Sequence, residues 1–196
     1  MKSFDEYLHD AELAHGHLCA GQVLGVRLAM LGLQKLGIDD PHGKDRKRLV
    51  TFVEIDRCAT DAVGVVTGCR LGKRALKFRD WGKMAATFVD VITGRAIRIA
   101  AKESSKALAK QLHPEIENKN QQQMLAYREM SDNDLFTTQW VKVELPPEEF
   151  PGYKAERISC DQCGEGINFR REVRQDGRVL CQGCAGESYY IVLEEE

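Results

Sequence analysis

Most of the side chains able to do chemistry in this sequence lie in two cysteine pairs and one histidine-rich heptapeptide. Cys160-Asp161-Gln162-Cys163 and Cys181-Gln182-Gly183-Cys184 are C-x-x-C motifs with 17 residues between them, a spacing at which four thiolates converge on one zinc ion. Each motif brings two sulfurs to the ion, and together they close a tetrahedron that leaves no position for water or substrate. The expected role is a structural zinc; the alternative, two redox dithiols, needs both motifs to coincide by chance. The segment has little apolar material of its own, and a structural zinc contributes on the order of 10 kcal/mol to folding, so the metal decides whether it is ordered.

The heptapeptide His15-Gly16-His17-Leu18-Cys19-Ala20-Gly21 is the second concentration of donors. A histidine and a cysteine two apart on an irregular segment can turn toward one ion. A third ligand must come from elsewhere, and Cys58 is the candidate. It stands near an expected helix N-terminus, where a thiolate is stabilised and metal affinity or reactivity follows. His15 either ligates or caps. Cys69, beside Gly68 at a helix end, reads as a small buried apolar residue. Between Arg70 and Lys83 six basic residues meet one acid, Asp80, which makes Lys73 and Lys83 candidates for holding an anion beside the thiols; a solvated basic edge is the plainer reading.

The elements that must position these residues are legible from hydrophobic period and caps. Ser3 and Glu6 fit a capping box that opens a short helix, and Ala20 to Leu36, closed by Gly37, reads as a longer one, so the heptapeptide lies between two helices. Leu49 to Val53 reads as a strand. The run from Asp56 to Val66 has Ala59, Ala62, Val63 and Val66 at helical spacing, with Gly68 as the stop. Ala85–Val91 and Arg95–Ala101 alternate about Thr93-Gly94 as antiparallel strands, with Arg98 directed outward. Glu115 to Met130 reads as a polar helix, and Trp140 to Leu145 as a last strand. The expected fold is α+β, an antiparallel-rich sheet with packed helices, followed by a small zinc-ribbon-like domain. Residues 1–145 form the core, the Pro-rich stretch 146–152 the linker, and 153–196 the four-cysteine domain.

Composition bounds the partners. The chain has 196 residues, a net charge of −2 and 43% hydrophobic residues, which suits a globular domain plus an appendage. No apolar run approaches the roughly 20 residues that span a bilayer, and the acidic N-terminus is unlike a signal peptide; a cytoplasmic protein with no membrane association is expected. Seven cysteines cannot all pair as disulfides, and reduced thiols suit that location. In the four-cysteine segment Lys154, Arg157, Arg170, Arg171, Arg174 and Arg178 are nearly balanced by Glu156, Asp161, Glu165, Glu172 and Asp176, a poor footprint for DNA. The apolar run Tyr189 to Leu193 is expected to pack on the core or on a partner subunit.

Three blocks carry a family resemblance: HGHLCAG at 15–21, EIDRCATDAVGVVTGCRLGKRALKFRDWGK at 54–83 and SDNDLF at 131–136, followed by the four-cysteine tail. The sequence resembles the FmdE family, named for a component of formylmethanofuran dehydrogenase, over nearly its whole length. The resemblance implies an intertwined homodimer with an α+β core, a histidine-cysteine motif on His15, His17 and Cys19, and a second block on Cys58 and Asp61. Ala20 stands where the family commonly has proline, and Gly64 where it commonly has glutamine. The methanogenic enzyme works on a molybdenum or tungsten pterin centre held by other chains of its complex, and nothing in these residues resembles such a chain.

Three functional expectations follow. The first is a metal-dependent small-molecule site in which His17, Cys19 and Cys58, with His15, bind a second metal ion, zinc being the first choice; Lys73 and Lys83 hold an anionic ligand, and Cys19, Cys58 or Asp61 serve any catalysis. The second is a regulatory or interaction protein that contacts a protein partner through the zinc finger and senses metal or ligand in the core. The third, a thiol redox role for Cys19 and Cys58, requires a low thiol pKa.

Overall fold

The computed structural model describes residues 1–193 and divides into two compact units, Met1–Glu144 and Leu145–Glu196. In the first unit, helix α1 (Phe4–His15) begins where Ser3 Oγ accepts from the Glu6 amide and Glu6 answers by accepting from the Ser3 amide at 2.8 Å. Its chain reverses at Gly16, whose φ of +92° belongs to the left-handed region that a β-carbon disfavours. Helix α2 (Ala20–Leu36) follows. It is apolar nearly all round and buried on most of its surface, as a central helix must be. It touches α1, α3 (Cys58–Thr67), α5 (Lys119–Glu129) and the sheet.

The sheet has the order β2-β1-β3-β4-β5, built from β1 (Leu49–Val53), β2 (Leu76–Phe78), β3 (Ala85–Asp90), β4 (Ala96–Ala101) and β5 (Phe136–Val141). Only β1 and β2 run parallel, and parallel neighbours need a crossover; here the crossover is α3. All other pairs are antiparallel. Leu49, Val53, Ala86, Phe88, Ile97 and Ile99 turn one face into the helical core. On the other face Arg98, read from sequence as outward, grips Glu54 with Nε at 2.7 Å and Nη2 at 2.6 Å, and Glu54 is only 3% exposed. A buried carboxylate of this kind requires its cation.

Helix α4 (Ser104–Leu112) and the one-turn α6 (Asp132–Leu135) complete the unit. The SDNDLF block acts structurally: Ser131 Oγ accepts from the Asp134 amide, and Asp132 accepts from Arg27 of α2. Arg27 also donates to the carbonyls of Tyr127 and Met130, so α2 satisfies the last carbonyls of α5. The expected last strand at 140–145 lies earlier, at Phe136–Val141, because its register is set by pairing with β4 from Ala101↔Phe136 to Ala96↔Val141. Among the described residues no helix is long and apolar enough to cross a membrane.

The second unit contains two hairpins, β6 (Ile158–Ser159) with β7 (Gly166–Ile167) and β8 (Val173–Gln175) with β9 (Arg178–Leu180). One C-x-x-C motif follows β6 and the other follows β9. The small apolar cluster of Ile167, Leu180 and Cys160 is far less than a free-standing domain of this size needs. The run Tyr189 to Leu193 is exposed in the single chain, with Tyr189 at 95% and Ile191 at 88%.

Candidate metal centres and the adjoining cleft

Helix packing assembles the core site. Gly25 of α2 faces α3 so closely that a β-carbon there would lie 2.6 Å from the Ala59 carbonyl oxygen. This approach brings the first turn of α3, with Cys58 and Asp61, against the connection between α1 and α2. Asn120 of α5 holds that connection from the other side, its side-chain oxygen accepting from the Ala20 amide at 3.0 Å. Cys19, the N-cap residue of α2, makes no side-chain cap of its own.

The donor atoms of His15, His17 and Cys19 all lie within 4.8 Å of one another, and the two imidazole centroids are 4.6 Å apart. His15 Nδ1 lies 2.8 Å from Asp61 Oδ2. Its other nitrogen, Nε2, is buried and has no hydrogen-bond partner among the described residues. A buried imidazole nitrogen left over while the ring is fixed by a carboxylate is the arrangement of metal-binding histidines. Two nitrogens and a sulfur suit a borderline-soft divalent ion such as zinc, and three protein ligands leave a coordination position open. The residues therefore fit a metal.

Cys58 borders this cluster. It adjoins Cys19: a β-carbon on Gly21 would lie 3.1 Å from Cys58 Cβ and 3.6 Å from Cys19 Sγ. It lies outside the three-donor cluster of His15, His17 and Cys19. Nor is its thiolate favoured. Burial, and then the Cys19 thiol, push the Cys58 pKa up, overriding its own amide and the charge of Arg57; the helix terminus expected to lower it is outweighed by lost hydration. Cys69 is 2% exposed and contacts Thr51 and the Leu49 carbonyl within the core.

Cys19 and Cys58 share a wall of a 440 Å³ cleft, a volume suited to a small ligand. Leu24, Met84 and Tyr127 provide apolar lining, and Arg57, Lys102 and Lys106 provide cations. The expected anion residues are elsewhere. Lys73 lies in an exposed turn, Lys83 sits 5.6 Å over the Trp81 ring, and neither lines the cleft, although Gly82 does. The basic run points to the right neighbourhood, but the cations at the cleft come from Arg57 and the segment after β4, and spacing carries no signal for the latter.

In the second unit the donor sulfurs of Cys160, Cys163, Cys181 and Cys184 lie within 4.8 Å of one another. The Cys163–Cys181 separation is 4.0 Å, close to the edge of about 3.8 Å of a tetrahedron with zinc–sulfur bonds of about 2.3 Å. The Cys181 amide donates to Cys160 Sγ and the Cys184 amide to Cys181 Sγ, both at 3.3 Å. Donation from the Cys163 and Cys181 backbones lowers the Cys160 pKa to about 6, while the Cys181 thiol, with burial behind it, raises that of Cys184 to about 12. Four sulfurs packed this closely, with the pKa of Cys160 lowered and that of Cys184 raised, are matched to a divalent cation. This set fits zinc as well.

An α+β core carrying a His/Cys cluster, joined to a four-cysteine zinc-ribbon-like tail, defines the class of protein. Residues 14–137 match the model of FmdE, described as "Molybdenum formylmethanofuran dehydrogenase operon", and residues 154–190 match the prokaryotic dksA/traR C4-type zinc finger. The chain belongs to the FmdE family. It is similar to a probable S-adenosyl-L-methionine-binding protein of Archaeoglobus fulgidus, with 34% identity covering 91% of this chain and 52% of the relative. The chain thus spans about half the length of that relative. Among solved structures it is similar to a tungsten formylmethanofuran dehydrogenase FmdE-like protein from Syntrophus aciditrophicus, with a TM-score of 0.66 and 25% identity, covering 97% of this chain and 96% of the other.

Proposed function

We propose that the core is a metal-dependent small-molecule site and that the tail is held by a structural zinc. The observation that carries the reading is the buried, unpartnered Nε2 of His15 beside His17 and Cys19, with Asp61 fixing the opposite edge of the ring. His15, His17 and Cys19 would hold a divalent ion, zinc by the softness of the set. Such an ion supplies Lewis acidity toward a ligand that occupies its open position. The chain's own residues do the rest. Asp61 fixes the His15 ring and its tautomer, Cys19 links the cluster to the cleft, and the apolar wall of Leu24, Met84 and Tyr127 excludes water from one side of the ligand. The name of the archaeal relative makes S-adenosylmethionine a ligand to try first.

Metal content tests this reading. The full chain should bind two zinc equivalents, the Cys181→Ser/Cys184→Ser protein one, and that variant carrying His17→Ala and Cys19→Ala as well should bind none. Absence of metal from a folded Cys181→Ser/Cys184→Ser protein would remove the core site.

The exposed run Tyr189–Leu193 favours a second role for the tail, contact with a protein partner through an apolar surface of the kind that marks interaction sites. Nearly balanced charge around the four cysteines argues against direct DNA binding.

A further inference from the structure

We infer that the cleft beside the core cluster selects a small organic anion, and that Arg57 and Lys102 are its anchors. The inference rests on the small-molecule reading above and gives it a ligand class. Three cations line the cleft against a single carboxylate, that of Glu103. Glu103 is already taken, since Lys106 Nζ donates to its Oε2 at 2.6 Å, which leaves two positive charges unbalanced. Among the described residues Lys102 Nζ donates only to the neutral carbonyl of Asn133. Arg57 makes no ion pair or side-chain hydrogen bond among the described residues, and immediately precedes Cys58 as the N-cap residue of α3. Cations that line a partly closed concavity without counter-charges concentrate anions there.

The opposite wall determines what else the ligand must have. Leu24, Met84 and Tyr127 line the same space, so a bare inorganic ion would leave its apolar side unfilled. A molecule with an apolar body and one anionic end fills both demands. With that end on Arg57 and Lys102, its body lies along the apolar wall, within reach of Cys19 and hence of the metal cluster. Lys73 and Lys83 have no part in this arrangement.

The test uses the full chain with two probes that share an apolar body and differ in charge. These are the anionic 8-anilinonaphthalene-1-sulfonate and the neutral N-phenyl-1-naphthylamine, both followed by fluorescence, with zinc content measured on the same samples. Arg57→Glu/Lys102→Glu should weaken the sulfonate by roughly tenfold or more, as lost charge pairing in a partly closed site implies. The neutral probe should hold its affinity, and Arg57→Lys/Lys102→Arg should restore sulfonate binding to near the native value. Equal loss of both probes, an unchanged sulfonate affinity in the charge-reversed protein, or no sulfonate binding by the native chain would each overturn the inference. Zinc content separates the two readings: a chain that holds one zinc, on its tail, yet discriminates the probes keeps the anion site and loses the core metal.

Discussion

His15 Nδ1 and Asp61 Oδ2, 46 positions apart in sequence, lie 2.8 Å apart, and this contact joins the last residue of α1 to the first turn of α3. It changes the part that Asp61 plays. From sequence the carboxylate is a candidate base; in the structure one of its oxygens is occupied by the ring of a candidate ligand. A carboxylate behind a ligating histidine fixes the tautomer and raises the basicity of the other nitrogen.

Asp61→Asn should therefore lower core-metal affinity about 10- to 100-fold, read by competition with a chelator in the Cys181→Ser/Cys184→Ser protein so that the core ion is followed alone. The Asp61 side chain is 57% exposed, so the metal-free melting temperature should barely move. Unchanged affinity would show that His15 is not a ligand.

Metal removal should affect the two units unequally. The tail owns only the cluster around Ile167, Leu180 and Cys160, and its fold is expected to depend on roughly 10 kcal/mol of zinc binding. Chelation, or Cys160→Ser, should collapse the backbone amide dispersion of residues 153–190 in a nitrogen–proton correlation spectrum and leave the β1, β3 and β4 resonances in place. A tail that keeps its dispersed amides without metal would count against a structural role for zinc.

Much of this architecture was legible in the sequence, because local signals agreed with it. The α2 span, β1, and the stop of α3 at Gly68 are all marked by period and caps, and the four tail cysteines by spacing alone. The core site was half legible. His15, His17 and Cys19 cluster because they are neighbours in sequence, whereas the approach of Cys58 to Cys19 and of Asp61 to His15 depends on the packing of α3, and no period encodes such a tertiary pairing. Asn120 reaches Ala20 across 100 positions with the same invisibility. Arg57, Lys102 and Lys106 come to one cleft only when α3 and the segment after β4 converge, whereas Lys73 and Lys83 of the dense basic run lie outside it.

Acid should weaken the core through Asp90. Its side chain is 1% exposed, and burial alone would raise its pKa. The Arg48 guanidinium at 2.8 Å, the Thr93 hydroxyl and the Ile92 amide outweigh burial and hold it below the ordinary aspartate value. A folded-state pKa below the unfolded one contributes stability above about pH 4, and that stability is lost as pH falls through the lower value. Asp90→Asn should flatten the acid limb of a stability–pH curve. At neutral pH it should cost about 2 kcal/mol, since Asp45 still pairs with Arg48 at 3.0 Å. An acid limb as steep as that of the native protein would assign acid sensitivity elsewhere.

The packing of α2 on α3 and the metal cluster are one structure, and Gly25 tests the connection. A β-carbon at this position would sit 2.6 Å from the Ala59 carbonyl oxygen and 2.8 Å from both the Ala59 Cα and the Ala62 Cβ. Backbone on the far side cannot rotate away as a side-chain tip can, so α3 must move. Overpacking of this kind costs roughly 1–3 kcal/mol, offset only slightly by the better helix propensity of alanine. Because Asp61 and Cys58 ride on α3, Gly25→Ala should also lengthen the His15–Asp61 contact and lower core-metal affinity, even in protein that is still folded. Gly72→Ala is the control, since nothing lies within 4 Å of its β-carbon position, and a surface change of that kind stays within about 0.5 kcal/mol. Urea unfolding and metal titration on the two variants decide the matter. A Gly25→Ala protein destabilised by the expected amount but with native metal affinity would show that the cluster does not depend on the α2–α3 distance.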